Sequence, residues 1–233
     1  MEKALGILGG MGPLATANFM TQIIESTKAG KDQDHLRIYV DCHSQTPNRV
    51  AALLEGGEEP TAAICESIKK LESIGASVLV MPCISAHGFY DKAVESASVP
   101  FLNMPDIIVD VCAHNFPGQK AGVLSTKGTA DTRILLNPMD RFNIPYITPN
   151  EYEQDKVSSL IERVKANGNL VQIAKEFSKV LDTMEARGAD YFVLGCTELP
   201  VIAKYCKGKH VFLDTTLELA KASIIACGGL VKS

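Results

Sequence analysis

Short apolar runs rich in β-branched residues alternate along the chain with longer stretches whose apolar positions recur at helical spacing. The pattern predicts a strand over 4–8, a helix over 14–27, a strand over 37–42 and a helix over 61–73. A strand over 77–81 and a helix through 90–96 follow. A second series has strands at 121–124 and 146–148, a helix near 170–186, strands at 191–194 and 211–213, and a closing helix at 217–226. Continuous apolar strands separated by helices imply parallel sheets covered on both faces, the mark of an α/β fold.

The two series match each other. Leu71-Glu-Ser-Ile-Gly-Ala-Ser-Val-Leu-Val-Met-Pro-Cys83 lies over Met184-Glu-Ala-Arg-Gly-Ala-Asp-Tyr-Phe-Val-Leu-Gly-Cys196 without a gap, at a constant offset of 113. Gly6-Ile-Leu-Gly-Gly-Met-Gly12 lies over Gly122-Val-Leu-Ser-Thr-Lys-Gly128 at an offset of 116, and Phe101-Leu-Asn103 echoes Phe212-Leu-Asp214. A period near half the chain, with elements in one order, implies two related lobes. The expected division is 1–100 with 214–233 in one lobe and 101–213 in the other. Each would hold a parallel sheet flanked by helices, the two related by a pseudo-twofold axis with the active site between them.

Composition narrows the function classes. The 233 residues are 46% hydrophobic and 21% charged, with a formal charge of −4 built from 23 basic and 27 acidic side chains. No run of five like charges occurs, which argues against nucleic acid or an anionic membrane as partner. No apolar run approaches the ~20 residues of a bilayer span, and no secretory leader pattern is present. A cytoplasmic protein is expected. Seven cysteines, an odd number without a C-x-x-C, imply thiols that fill space, with any exception catalytic.

Two of those thiols stand apart. Cys83 and Cys196 occupy the matched position just after a predicted strand, and ligands of open parallel sheets collect outside such carboxyl ends. A helix N-terminus following each would lower the thiol pKa. The competing view makes both of them buried strand-end cysteines. A matched pair of acid and base suits the inversion of a stereocentre: one group removes a proton from one face of a carbon while the other delivers one to the opposite face.

Gly6-Ile-Leu-Gly-Gly-Met-Gly-Pro13, Met81-Pro-Cys-Ile-Ser-Ala-His87 and Gly195-Cys-Thr-Glu198 closely resemble segments of the aspartate/glutamate racemase family. Gln45-Thr-Pro-Asn-Arg49 and Val164-Lys-Ala-Asn-Gly-Asn169 are similar to further family segments, in the family's order. The resemblance spans essentially the whole chain. It implies a cofactor-independent amino-acid racemase with two similar α/β lobes, a homodimer acting on a small amino acid without a metal. By that resemblance Cys83 and Cys196 are the catalytic pair, Arg49 is a carboxylate anchor and Lys165 a second cation. Met11, Gln45, Ile84, Ser85, Thr126 and Thr197 complete the expected substrate contacts. The family commonly has Asn-Thr after its first cysteine, where this chain has Ile84-Ser85, and Asn48 stands where Asp is frequent. These departures bear on substrate identity more than on reaction type.

Three other features invite different readings. Gly10-Met-Gly-Pro-Leu-Ala15 fits the loose dinucleotide pattern of a dehydrogenase, but no acidic residue closes a second strand about 20 positions later. His87, four residues after Cys83, suits either tuning of that thiol or a structural hydrogen bond. Glu198 and Asp214 suit either polarising the second thiol or capping a helix, and capping or cleft-lining is the expectation. A carboxylate-binding module without turnover is the non-enzyme alternative, and a related isomerase of the Asp/Glu racemase superfamily with an altered substrate is the enzymatic one.

Overall fold

The computed structural model describes residues 3–208 and 210–232. It forms two compact units, Met1–Ile108 with Thr216–Ser233, and Val109–Thr215. The first contains β1 (Leu5–Gly9), α1 (Pro13–Ser26), β2 (Ile38–Cys42), α2 (Arg49–Leu54), α3 (Thr61–Ser73), β3 (Val78–Val80) and α4 (Tyr90–Val94). Helix α5 (Met104–Asn115) carries the chain into the second unit. There follow β4 (Ala121–Leu124), α6 (Lys127–Asp131), α7 (Leu136–Arg141), β5 (Tyr146–Ile147), α8 (Glu151–Lys165) and α9 (Leu170–Ala186). The second unit ends with β6 (Tyr191–Leu194), α10 (Leu199–Ala203) and β7 (Phe212–Asp214), after which α11 (Thr215–Ala226) returns to the first.

Both sheets are parallel, in the order β2-β1-β3 in the first unit and β5-β4-β6-β7 in the second. The central strands β1 and β4 are buried along their whole length, whereas β2, at a sheet edge, is only half-buried. Helices supply the apolar cover. Ile64, Ile68 and Leu71 of α3 pack with Leu8, Leu79 and Met81, and Ile173, Phe177, Leu181 and Met184 of α9 pack with Phe192 and Leu194.

The internal repeat is visible in the register of each sheet. Leu5 and Gly6 of β1 pair with Val78 and Leu79, and Ala121 and Gly122 of β4 pair with Tyr191 and Phe192, the same residues displaced by the two sequence offsets. At the strand entrance Ser77 Oγ accepts from the Ala4 N–H (2.9 Å), and Asp190 Oδ2 accepts from the Lys120 N–H (2.7 Å). Glycine is needed at both matched positions because a neighbour crosses closely. A Cβ on Gly6 would fall 2.8 Å from both Ala76 and Leu79, and one on Gly122 2.7 Å from the Phe192 ring. Phe101 bridges to Leu79 in parallel, as Phe212 pairs with Phe192.

Three expectations need adjustment. The helix expected through 90–96 is the short α4, Tyr90–Val94, which ends two residues early and follows a 3-10 turn, Ile84–Phe89. The His87 ring pins this segment to the Cys83 carbonyl, and the chain leaves as soon as Ala93 is buried. Strand β7 begins and ends one residue later than the 211–213 expected. Helices α5 and α8 were not read from the pattern. The apolar positions of α8, Val157, Leu160 and Ile161, are spread through a polar stretch, although its Asn150/Glu153 capping box is a sequence signal in its own right.

The turn after β1 depends on a glycine. Gly10 has φ of +87°, and a Cβ there would lie 2.4–2.6 Å from backbone atoms of His43, which have no freedom to move aside. Gly56 also has positive φ (68°) but faces open space. Gly10→Ala should therefore lower unfolding free energy by about 3 kcal/mol or more, combining backbone strain with overpacking. Gly56→Ala should cost about 1 kcal/mol, the strain alone. Urea titration of both variants checks the difference.

Candidate active site

In the first unit, β3 runs out through buried Met81 to Cys83, which is extended (φ −146°, ψ 108°) and precedes the 3-10 turn. Its Sγ lies 3.5 Å from Ser85 Oγ, while the Ile84 side chain is buried. His87 turns its ring back so that Nδ1 meets the Cys83 carbonyl (2.9 Å) and Nε2 accepts from the Met104 N–H (3.1 Å). Together these bonds define a neutral ring with its proton on Nδ1. His87 thus orders the backbone around the thiol and does not bond the sulfur. Burial of the ring lowers its pKa to about 4.

Two further loops gather beside that turn. Gly10 lies against the backbone of His43, and α2 packs on the 3-10 turn after Cys83. Asn48 caps α2 by accepting from the Val50 and Ala51 N–H groups through Oδ1, a duty that Asp would serve equally. Arg49, the first residue of α2, donates from Nη1 to the carbonyls of Thr46 and Pro47 (3.1 and 2.9 Å). Its Nε is buried without a partner. The guanidinium is held in one orientation at the cost of an unsatisfied donor. Met11 and Cys83 both pack against the core cluster of this unit, and Gln45 is exposed.

In the second unit the ends of β4 and β6 stay in contact. The Gly195 N–H donates to Leu124 O (2.7 Å), and a Cβ on Gly195 would come within 3.3 Å of Ser125. Thr126 next to it caps α6 by accepting from the Thr129 N–H, so its hydroxyl has a structural duty. Cys196 donates its S–H to Glu198 Oε2 (2.9 Å), which also accepts from Thr197 Oγ1 (3.1 Å).

This arrangement reverses one expectation and replaces another. The helix following Cys196 was expected to lower its thiol pKa. It is pushed far above the ordinary thiol range instead, first by burial, then by the charge of Glu198 and the side-chain bond to it, with the Glu198 backbone N–H and then Lys165 pulling the other way. A five-residue helix such as α10 offers little dipole against those effects. Glu198 stands just before α10, where a cap was expected, but its side chain makes no capping bond and holds the thiol. Of the two roles the sequence offers Glu198, polarising the thiol or capping a helix, its side chain takes the first, against the capping role favoured from sequence.

Lys165 lies exposed in the last turn of α8. Elsewhere Cys112, Cys206 and Cys227 are thiols whose pKa burial raises. Among the described residues Asp182, Glu185 and His210 bring potential metal-ligand atoms together. His210 directs Nδ1 to Glu185 (2.7 Å) and Nε2 to Asp182 (3.7 Å). The two ring nitrogens thus face separate carboxylates.

Parallel α/β units that each bring a cysteine to the end of a buried strand define the class of protein. The chain belongs to the Asp/Glu/hydantoin racemase family, whose model matches residues 8–223. It is 27% identical over 226 residues to a broad specificity amino-acid racemase of Bacillus subtilis, covering 94% of this chain and 96% of that one. An aspartate racemase structure from Picrophilus torridus is 33% identical, with a TM-score of 0.86 over 99% of this chain and 96% of that one. An aspartate racemase homologue from Pyrococcus horikoshii shares the fold at 21% identity, with a TM-score of 0.83 over 98% and 100% of the two chains.

The His87 geometry has a consequence for stability. Its folded pKa, about 4, lies below the ordinary histidine value of 6.5, so the unfolded chain binds the proton first on acidification. The contribution of the neutral ring is complete above the unfolded value and is lost as pH falls from about 6.5 to about 4, amounting to about 3 kcal/mol. His87→Gln should be less stable than wild type at pH 7 and should lose less on acidification. Urea unfolding at a series of pH values measures both.

Proposed function

We propose that this protein is an amino-acid racemase independent of pyridoxal phosphate, acting on aspartate or glutamate by proton transfer at Cα between Cys83 and Cys196. The observation that carries the reading is the equivalence of the two thiols: each follows the matched strand of its own unit, in a chain of a racemase family. In this reading one sulfur, as thiolate, takes the α-proton from one face. The other, as thiol, gives a proton to the opposite face, and the reverse reaction exchanges their roles.

An amino acid without an imine has a weakly acidic α-proton, so the site must stabilise charge that spreads into the α-carboxylate. Arg49 suits that task, since its plane is fixed and a buried N–H awaits a partner. Lys165 adds a point charge. Met11, Gln45, Ile84, Ser85, Thr126 and Thr197 complete the proposed substrate surroundings. Ile84 contributes an apolar side chain where the family commonly has an amide, so the substrate panel should extend beyond the acidic amino acids. The reaction as proposed uses no cofactor, and the protein works in the cytoplasm as a homodimer.

The test is to follow optical rotation with each enantiomer of aspartate, glutamate and a wider set of amino acids. Wild type should racemise at least one pair. Cys83→Ser and Cys196→Ser should each reduce turnover by about 10²-fold or more in both directions. Cys65→Ala should leave it largely intact. Binding without racemisation by the wild-type protein would favour a carboxylate-binding module, and near-normal turnover by either serine variant would defeat the two-thiol mechanism.

A further inference from the structure

The scaffolds around the two thiols repeat, but their immediate partners differ. Two residues after Cys83 stands a hydroxyl, Ser85, with Oγ 3.5 Å from the sulfur. Two residues after Cys196 stands a carboxylate, Glu198, with Oε2 2.9 Å from the sulfur. A hydroxyl can donate to a sulfur anion, whereas a carboxylate can only accept from a protonated sulfur.

We infer that Glu198 is a positioning residue that holds Cys196 as the proton donor of the resting protein, while Ser85 leaves Cys83 free to act as the base. The inference rests on the racemase reading and adds to it a direction. The enantiomer whose α-hydrogen faces Cys83 meets Cys196 already as the thiol that must deliver the proton. Its turnover breaks the Cα–H bond as Cys83 gains S–H, and breaks the Cys196 S–H bond as the opposite Cα–H forms. The other enantiomer needs Cys196 as base, so its S–H proton must first pass to the Glu198 carboxylate, forming an O–H bond, while Cys83 takes a proton from a solvent acid, hydronium or buffer, which is left as water or the buffer base. The charged groups acting on Cys196 are Glu198, which favours the thiol, and Lys165, which favours the thiolate.

The test is a titration of thiolate ultraviolet absorbance in the full-length protein. Subtracting the same titration of Cys196→Ser isolates the Cys196 signal. In the wild type this signal should stay absent through the ordinary thiol range. In Glu198→Gln it should emerge at least one pH unit lower, raising the thiolate fraction by about tenfold at a given pH. Glu198→Asp, which keeps the charge, should stay close to wild type, separating the effect of charge from that of packing. In the same samples the pH profiles of kcat for the two enantiomers should differ in the wild type and converge in Glu198→Gln.

A Cys196 titration unchanged by Glu198→Gln overturns the inference, even if the protein racemises amino acids normally. A titration that moves in a protein without racemase activity supports the proton-holding role of Glu198 and removes the racemase reading on which the direction depends. Identical wild-type pH profiles for the two enantiomers also overturn the directional claim.

Discussion

A strand buried on both faces of a parallel sheet has no room for a charged side chain along its length. In this protein β1, β3, β4 and β6 obey that constraint, each buried throughout. Chemistry is therefore displaced to the segments leaving their carboxyl ends. Gly10, Cys83, Thr126 and Cys196 all stand within a few residues of a strand end. The constraint explains the economy of the repeat: glycine as the second residue of β1 and of β4 admits a crossing side chain, and the sheet register carries both cysteines to equivalent places.

The same backbone supports different local electrostatics. His87 is neutral and pins the Cys83 carbonyl, whereas Cys196 relies on Glu198 at the sulfur itself. A duplicated scaffold thus keeps two cysteines in matched positions while the side chains beside the sulfurs differ. That division suits inversion chemistry, in which two groups need equal reach and opposite protonation.

Much of the fold was legible in the sequence because burial leaves a period. The apolar runs at 4–8, 77–81, 121–124 and 191–194 coincide with strands to within a residue or two, and α3 and α9 carry their apolar stripes plainly. Helix α8 was not legible from periodicity, since it presents few apolar residues in a polar stretch. The positions of Cys83 and Cys196 followed from the repeat. Their environments did not, because a thiol pKa depends on burial and on where one carboxylate oxygen points, neither of which spacing specifies. The same holds for Arg49, whose sequence position foretold a cation but not its bonds to the Thr46 and Pro47 carbonyls.

The central claim is that two thiols serve opposite faces of one α-carbon, and isotope exchange addresses it most directly. A single enantiomer of a turned-over amino acid is incubated with the protein in heavy water, and both enantiomers are recovered early in the reaction. The account predicts deuterium at Cα of the inverted product, with the unconverted substrate still carrying protium, because the incoming proton comes from the second, solvent-exchanged thiol. Inverted product that keeps the original protium would contradict it, since a single base would then be returning the proton it had removed.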